Sequence, residues 1–145
     1  MAVIDEQIVI RRKPQEVYDY VIDLTNQPKW ETTVLSVTPR DGSYTVHDGS
    51  EIDYVFKLGA MKLKGVSVIS GLEPGHTGHY SVSSRLGKSE GSYTVEEHPD
   101  GALFTHHVES QPRNAMERAL DGVSATMLRR QLRRGVQNLK SQLEG

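Results

Sequence analysis

The twenty residues from Ser124 to Leu143 constrain the chain more than any other stretch. Ala125, Leu128, Leu132, Val136, Leu139 and Leu143 recur every three or four positions, which lines one face of an α-helix with apolar side chains. Arg129, Arg130, Arg133, Arg134 and Lys140 take the other face. At 1.5 Å per residue such a helix is about 30 Å long, and its stripe needs an apolar surface of similar extent to cover it. Nearly everything before it reads as strand. A curved antiparallel sheet closed over one long terminal helix is the architecture that meets both conditions.

The strand reading rests on punctuation and alternation. Residues 2 to 10 are rich in Val and Ile and form a first strand. Pro14 suits the first turn of a short helix carrying Val17, Tyr20 and Val21, with Glu16 at its positive end. A second short helix is expected over Pro28 to Glu31, opened by Asn26 as cap. From Val34 onward, Asp41-Gly42, His47-Asp48-Gly49, Leu58-Gly59, Pro74-Gly75, Leu86-Gly87 and Pro99-Asp100-Gly101 mark turns. Six further strands fit between them, over 34 to 39, 50 to 57, 60 to 70, 77 to 84, 88 to 97 and 102 to 110. The fold class is therefore α+β: a seven-stranded sheet around a C-terminal helix, with two short helices after the first strand. With 145 residues and no repeat or linker, the whole of 1–145 reads as one domain.

Alternation also says which side chains look inward. Ile52, Tyr54 and Phe56 share a face, as do Tyr80 with Val82, Tyr93 with Val95 and Gly91, and Phe104 with His106, Val108 and Ala102. The fourth strand is ambiguous, since Met61 and Leu63 point opposite to Val66 and Val68 unless Gly65 marks a bulge. Small and hydroxyl-bearing inward residues leave the interior underfilled, which implies an apolar cavity edged by a few polar groups, a small-molecule site. Ahead of the helix, Met116, Leu120, Val123 and Met127 fall opposite the main stripe. A kink or break near Gly122 reconciles the two faces; a methionine-rich patch for a partner or second subunit is the alternative.

Composition removes several classes of function. Seventeen basic and nineteen acidic residues leave a net charge of -2, so no global field favours nucleic acid. The absence of cysteine excludes disulfides, thiol catalysis and cysteine-bound zinc. His76 and His79 point to opposite faces of a strand, as do His106 and His107, so neither pair is a metal site. No Ser-His-Asp arrangement, phosphate loop or dinucleotide fingerprint is present, and no cofactor is expected. The N-terminus carries Asp5 and Glu6 in place of a basic leader, and no apolar run reaches membrane-spanning length. A cytoplasmic protein without stable membrane insertion, monomeric or homodimeric, is the expectation.

The opening strand followed by RRKPQEVYDYVIDLTNQPKWE, the Gly-punctuated middle reaching VISGLEP, and the final helix ending in LRRGVQNLKSQLEG together resemble the polyketide cyclase/dehydrase and lipid transport family. That family belongs to the START-like helix-grip superfamily (SRPBCC), and the resemblance covers essentially the whole chain. It implies a deep cavity between sheet and long helix. It also implies a hydrophobic small-molecule ligand, polyketide-like or aromatic, with cyclisation or dehydration as the leading activity. A non-catalytic carrier or sequestering protein for a lipid or quinone is the alternative, and both stand open here. The single tryptophan, Trp30, sets the chain apart from the tryptophan-rich aromatase/cyclases of the family.

His106 is the sharpest candidate for chemistry, with Tyr93 and Tyr80 as proton donors or carbonyl ligands beside it. Trp30, Tyr54, Phe56, Val82, Gly91, Phe104, Val108, Met116 and Leu120 are the candidate ligand-binding residues.

Overall fold

The computed structural model describes residues 3–85, 87–111 and 115–145, with side chains left aside at 58 and 115–124. Seven strands form one antiparallel sheet: β1 (Val3–Ile10), β2 (Val34–Pro39), β3 (Glu51–Leu58), β4 (Met61–Glu73), β5 (Thr77–Ser84), β6 (Gly87–His98) and β7 (Gly101–Gln111). Their order is β1-β7-β6-β5-β4-β3-β2. Strands β2 to β7 are thus neighbours in chain order, joined by hairpins at the expected turns, and β1 returns to close the far edge on β7. Between β1 and β2 lie α1 (Pro14–Ile22), a 3-10 turn (Leu24–Asn26) and α2 (Gln27–Trp30). The long helix α3 (Ala115–Glu144) packs on β1, β7 and α2. This is the helix-grip arrangement that the terminal stripe demanded.

The stripe itself is buried as its spacing requires, with Leu132, Val136 and Leu139 removed from solvent and Arg129, Arg130, Arg133 and Arg134 exposed. Leu139 and Val136 join Ile10, Val17, Val21, Trp30, Val95 and Phe104 in the principal core cluster. A second cluster, Leu24, Val34, Ile52, Tyr54 and Ile69, lies under β3 and β4. No helix among the described residues is long and apolar enough to cross a membrane.

Two local expectations need correction, and one ambiguity is resolved. Of the kink or break expected near Gly122, the break does not occur: α3 is continuous from Ala115 to Glu144, because a helix absorbs one interior glycine at a cost of about 1 kcal/mol; the side chains of Met116 and Leu120 lie outside the described residues. Asn26 does not cap α2 with its side chain; Asp23 caps the preceding 3-10 turn instead, accepting from Thr25 N at 3.0 Å. Finally, pairing between β3 and β4 is continuous through Tyr54↔Gly65, so there is no bulge at Gly65. Leu63, Gly65, Ser67 and Ile69 face inward, and Val66 and Val68 face out. The irregularity in β4 falls between Ser70 and Glu73.

Candidate functional site

Two kinds of cross-strand pairing build the site. Tyr54 stands opposite Gly65, and Tyr80 opposite Gly91; the Tyr80 ring leans over Gly91, and the Phe56 ring over Gly65. A Cβ added at Gly91 would meet the Tyr80 ring at 2.3 Å, and one at Gly65 would meet Phe56 at 2.9 Å. Tyr93, by contrast, faces His106 directly, with ring centroids 4.6 Å apart. From the other side, α2 presents Gln27 and Trp30 together with Glu31 just beyond its end, the i, i+3, i+4 spacing that places side chains on one helical face.

These residues form one polar cluster, with Gln27, Tyr54 and His106 buried and Glu31, Tyr80 and Tyr93 half-buried. The Tyr54 hydroxyl donates to Gln27 Oε1 at 2.7 Å, and Gln27 Nε2 donates to Glu31 Oε2. The Tyr93 hydroxyl donates to Glu31 Oε1 at 3.2 Å, and His106 Nδ1 lies 3.8 Å from the same oxygen. On its other side His106 Nε2 is 2.7 Å from the Tyr80 hydroxyl, a hydrogen bond whose donor follows the imidazole tautomer. Trp30 covers the group, edge-on to Tyr93 and Phe104 at 5.7 and 5.9 Å.

Burial decides the protonation of this cluster. It pushes the Glu31 carboxyl up to about 7, against the opposing hydrogen bonds from Gln27 and Tyr93, because the ionised form has lost most of its hydration. The same cause, helped by His107, lowers His106 to about 3, so its imidazole is neutral at physiological pH. Desolvation also raises the hydroxyls of Tyr80 and Tyr93 far above their ordinary value, with the Glu31 charge adding to it; both remain proton donors. A Glu31–His106 ion pair is therefore disfavoured, since two desolvated charges at 3.8 Å without a direct hydrogen bond do not recover their hydration.

The cluster forms the polar end of a cavity of about 510 Å³ between the sheet, α2 and α3. His106, Tyr93, Tyr80, Trp30, Tyr54, Phe56, Val82 and Val108 all border it, as the alternation of their strands implied. Phe104 and Gly91 do not: Phe104 lies wholly buried behind Trp30 and Tyr93, and Gly91 is the floor on which the Tyr80 ring rests. Met116 and Leu120 fall outside the described side chains. Sequence reasoning passed over Gln27 and Glu31, which flank Trp30 on a helix of four residues.

No curated protein matches the chain in sequence. Solved structures share its fold. TTHA0849 from Thermus thermophilus superposes with a TM-score of 0.83 at 10% identity, covering 99% of this chain and 97% of that one. CV1439 from Chromobacterium violaceum gives 0.76 at 15%, covering 100% and 99%. DynU16, a protein of the dynemicin biosynthetic locus, gives 0.69 at 14%, covering 98% of this chain and 47% of that one, so this chain spans about half its length. The family model described as polyketide cyclase / dehydrase and lipid transport matches residues 1–144, and the chain belongs to that family, within the START-like helix-grip superfamily.

Proposed function

We propose that the protein binds an oxygenated apolar small molecule in the central cavity and catalyses its dehydration or a related cyclisation. The observation that carries this reading is a carboxyl group titrating near neutrality, Glu31, at the buried polar end of an otherwise apolar cavity. A group with that property can take a proton and return it at physiological pH. In the proposed reaction the Glu31 carboxylate removes a proton from the carbon beside a ligand carbonyl. Tyr93, turning its one hydroxyl proton from Glu31 to the ligand, and Tyr80, whose oxygen accepts from His106 Nε2, donate hydrogen bonds to the carbonyl oxygen as charge develops there. The C–O bond to a β-hydroxyl then breaks, a C=C bond forms, and the proton from Glu31 leaves with the hydroxyl as water. His106, neutral and bonded to Tyr80, holds that hydroxyl in place.

The test is conversion of apolar β-hydroxy ketones to enones, followed by absorbance. The native protein should show a rate that rises with pH through about 7 as Glu31 ionises. Glu31→Gln should keep binding and lose about 10²- to 10⁴-fold in turnover. Turnover unchanged in Glu31→Gln defeats the mechanism. The rival reading is a carrier for a lipid or quinone, and the mutual hydrogen bonding of Tyr54, Gln27, Glu31 and Tyr93 favours it, since such a closed network tolerates an apolar ligand without reacting. Binding with no conversion of any substrate in the panel supports the carrier.

A further inference from the structure

The inner face of the sheet sets serines into the wall of the cavity: Ser67 on β4, Ser84 on β5, Ser89 on β6 and Ser110 on β7. Ser67, Ser89 and Ser110 lie in one row across the strands, since Ser67 pairs with Val82, Val82 with Ser89 and Ser89 with Ser110. Ser84 and Ser110 already hold partners. The hydroxyls of Ser67 and Ser89 hold none among the described residues, although Ser67 is only 2% exposed and Ser89 is half-buried. Trp30 Nε1 is the one wholly enclosed side-chain polar atom without a partner among the described residues. The Ser67 oxygen is therefore not sealed in protein, and it opens on the cavity that the residue borders.

A buried hydroxyl without a partner is unfavourable, and a small apolar side chain would suit a purely apolar ligand better at both positions. The surroundings of the pair are neutral. Ser67 stands between Ile52 and Val82, with Gly65 and Ile69 before and after it on the inner face. Lys57, Lys62, Lys64 and Lys88 belong to these strands but alternate onto the outer face. A charged group brought to the two serines would lose its hydration without meeting a counter-ion. A neutral hydroxyl matches them, because each serine both donates and accepts.

Strand register sets their distance from the polar end. Tyr54 and Tyr80 are diagonal neighbours of Ser67, on β3 and β5, about 7 to 8 Å away at the backbone. The Tyr80 oxygen lies over Gly91, 2.4 Å from the place of an added Cβ. Ser89 is on the same face of β6, about 7 Å further along the strand. A small fused-ring molecule spans that gap.

We infer that Ser67 and Ser89 form a second polar subsite, and that the ligand carries, besides the oxygen held by Tyr80 and Tyr93, a neutral hydroxyl on the edge turned to β4 and β6. The inference rests on the reading that the cavity binds an oxygenated apolar molecule. It adds the second oxygen, its place and its neutrality.

The intact protein is titrated calorimetrically with α-tetralone, its ring-hydroxylated isomers and a ring carboxylate of it, at about pH 6, where the phenols are neutral and the carboxylate is ionised. At least one hydroxy isomer should bind about threefold to tenfold tighter than α-tetralone, the worth of one neutral hydrogen bond exchanged for water. The carboxylate should bind more weakly than α-tetralone. Combined Ser67→Ala and Ser89→Ala should remove the advantage of the hydroxyl and leave α-tetralone affinity within about twofold; should that variant not fold, the two single variants decide. No gain from a hydroxyl at any ring position, or a gain that survives the substitutions, overturns the subsite and leaves apolar-ligand binding standing. If neither α-tetralone nor any derivative binds, the apolar-ligand reading falls and the inference falls with it.

Discussion

The helix α3 covers two different interiors. In its C-terminal half, Val136 and Leu139 press on Ile10, Val17, Trp30, Val95 and Phe104. In the preceding turns, Ala125, Met127 and Leu128 look across a cavity. The helix is apolar along its stripe in both halves, so the sheet makes the difference. Under the tight half it presents Ile10, Val95 and Phe104; under the open half, β4 presents Gly65 and Ser67 between Leu63 and Ile69. A side chain facing a void has no partner atoms on that side and forfeits their dispersion attraction. Stability is therefore concentrated at one end of the helix and ligand space at the other.

The largest expected effect separates these ends. Leu139, wholly buried, should cost about 2 to 5 kcal/mol when truncated to Ala, the range for a core leucine whose site cannot collapse. Leu128 borders the cavity and is half-buried, so Leu128→Ala should cost about 1 kcal/mol or less. Arg133→Ala, losing one 3.4 Å pair between an exposed arginine and the half-buried Glu6, should stay within about 0.5 kcal/mol of native. Denaturant melts with unchanged slope measure all three. Equal costs for the two leucines would erase the distinction between the halves.

Periodicity made the tight half legible in the sequence, because a 3.6-residue stripe on α3 and a two-residue alternation on β3 and β7 each have one way to be buried. The open half was less so. Along β4 both faces carry apolar residues, and only pairing with β3 turned Val66 and Val68 outward. Alternation assigned Phe104 and Gly91 to the inner face without giving depth, and depth decides whether a residue meets a ligand or supports one that does. Glu31 follows a four-residue helix, too short for periodicity to show that the sheet buries a carboxylate there. The Asp121-Gly122 stop signal was outweighed by a helix that continues on both sides of it.

The two titrating residues at the polar end sharpen the comparison, because they make stability depend on pH in opposite senses. Glu31 titrates near 4.5 when unfolded and at about 7 when folded. Its protonated form is favoured by folding, so its contribution is complete below about 4.5 and is lost as pH rises through about 7. His106 titrates near 6.5 unfolded and at about 3 folded. Its neutral form is favoured, so its contribution is complete above about 6.5 and is lost as pH falls towards 3. Each slope is at most about 1.4 kcal/mol per pH unit, and between about 4.5 and 6.5 they cancel. Stability of the native chain should be nearly flat there. Glu31→Gln should become more stable as pH rises across that window, and His106→Gln less stable, by up to about 3 kcal/mol over its width. Parallel slopes in the two variants would show that these side chains do not titrate as their burial requires.

One glycine in each region gives a further comparison, and the two effects should differ in sign. At Gly91 an added Cβ would lie 2.3 Å from the Tyr80 ring and 2.4 Å from its hydroxyl oxygen. Gly91→Ala must push that ring aside, at about 1 to 3 kcal/mol for overpacking, and must also break the 2.7 Å contact between Tyr80 and His106. At Gly135 the nearest atom to an added Cβ is the Trp30 carbonyl oxygen at 3.7 Å, an ordinary contact. The position is interior to α3, where alanine restricts the unfolded chain more than glycine does and suits the helix better. Gly135→Ala should therefore stabilise by up to about 1 kcal/mol, read as a rise in melting temperature of a few degrees. A stabilising Gly91→Ala would mean that the Tyr80 ring does not rest on that backbone, and that the polar end of the cavity is held together by some other packing.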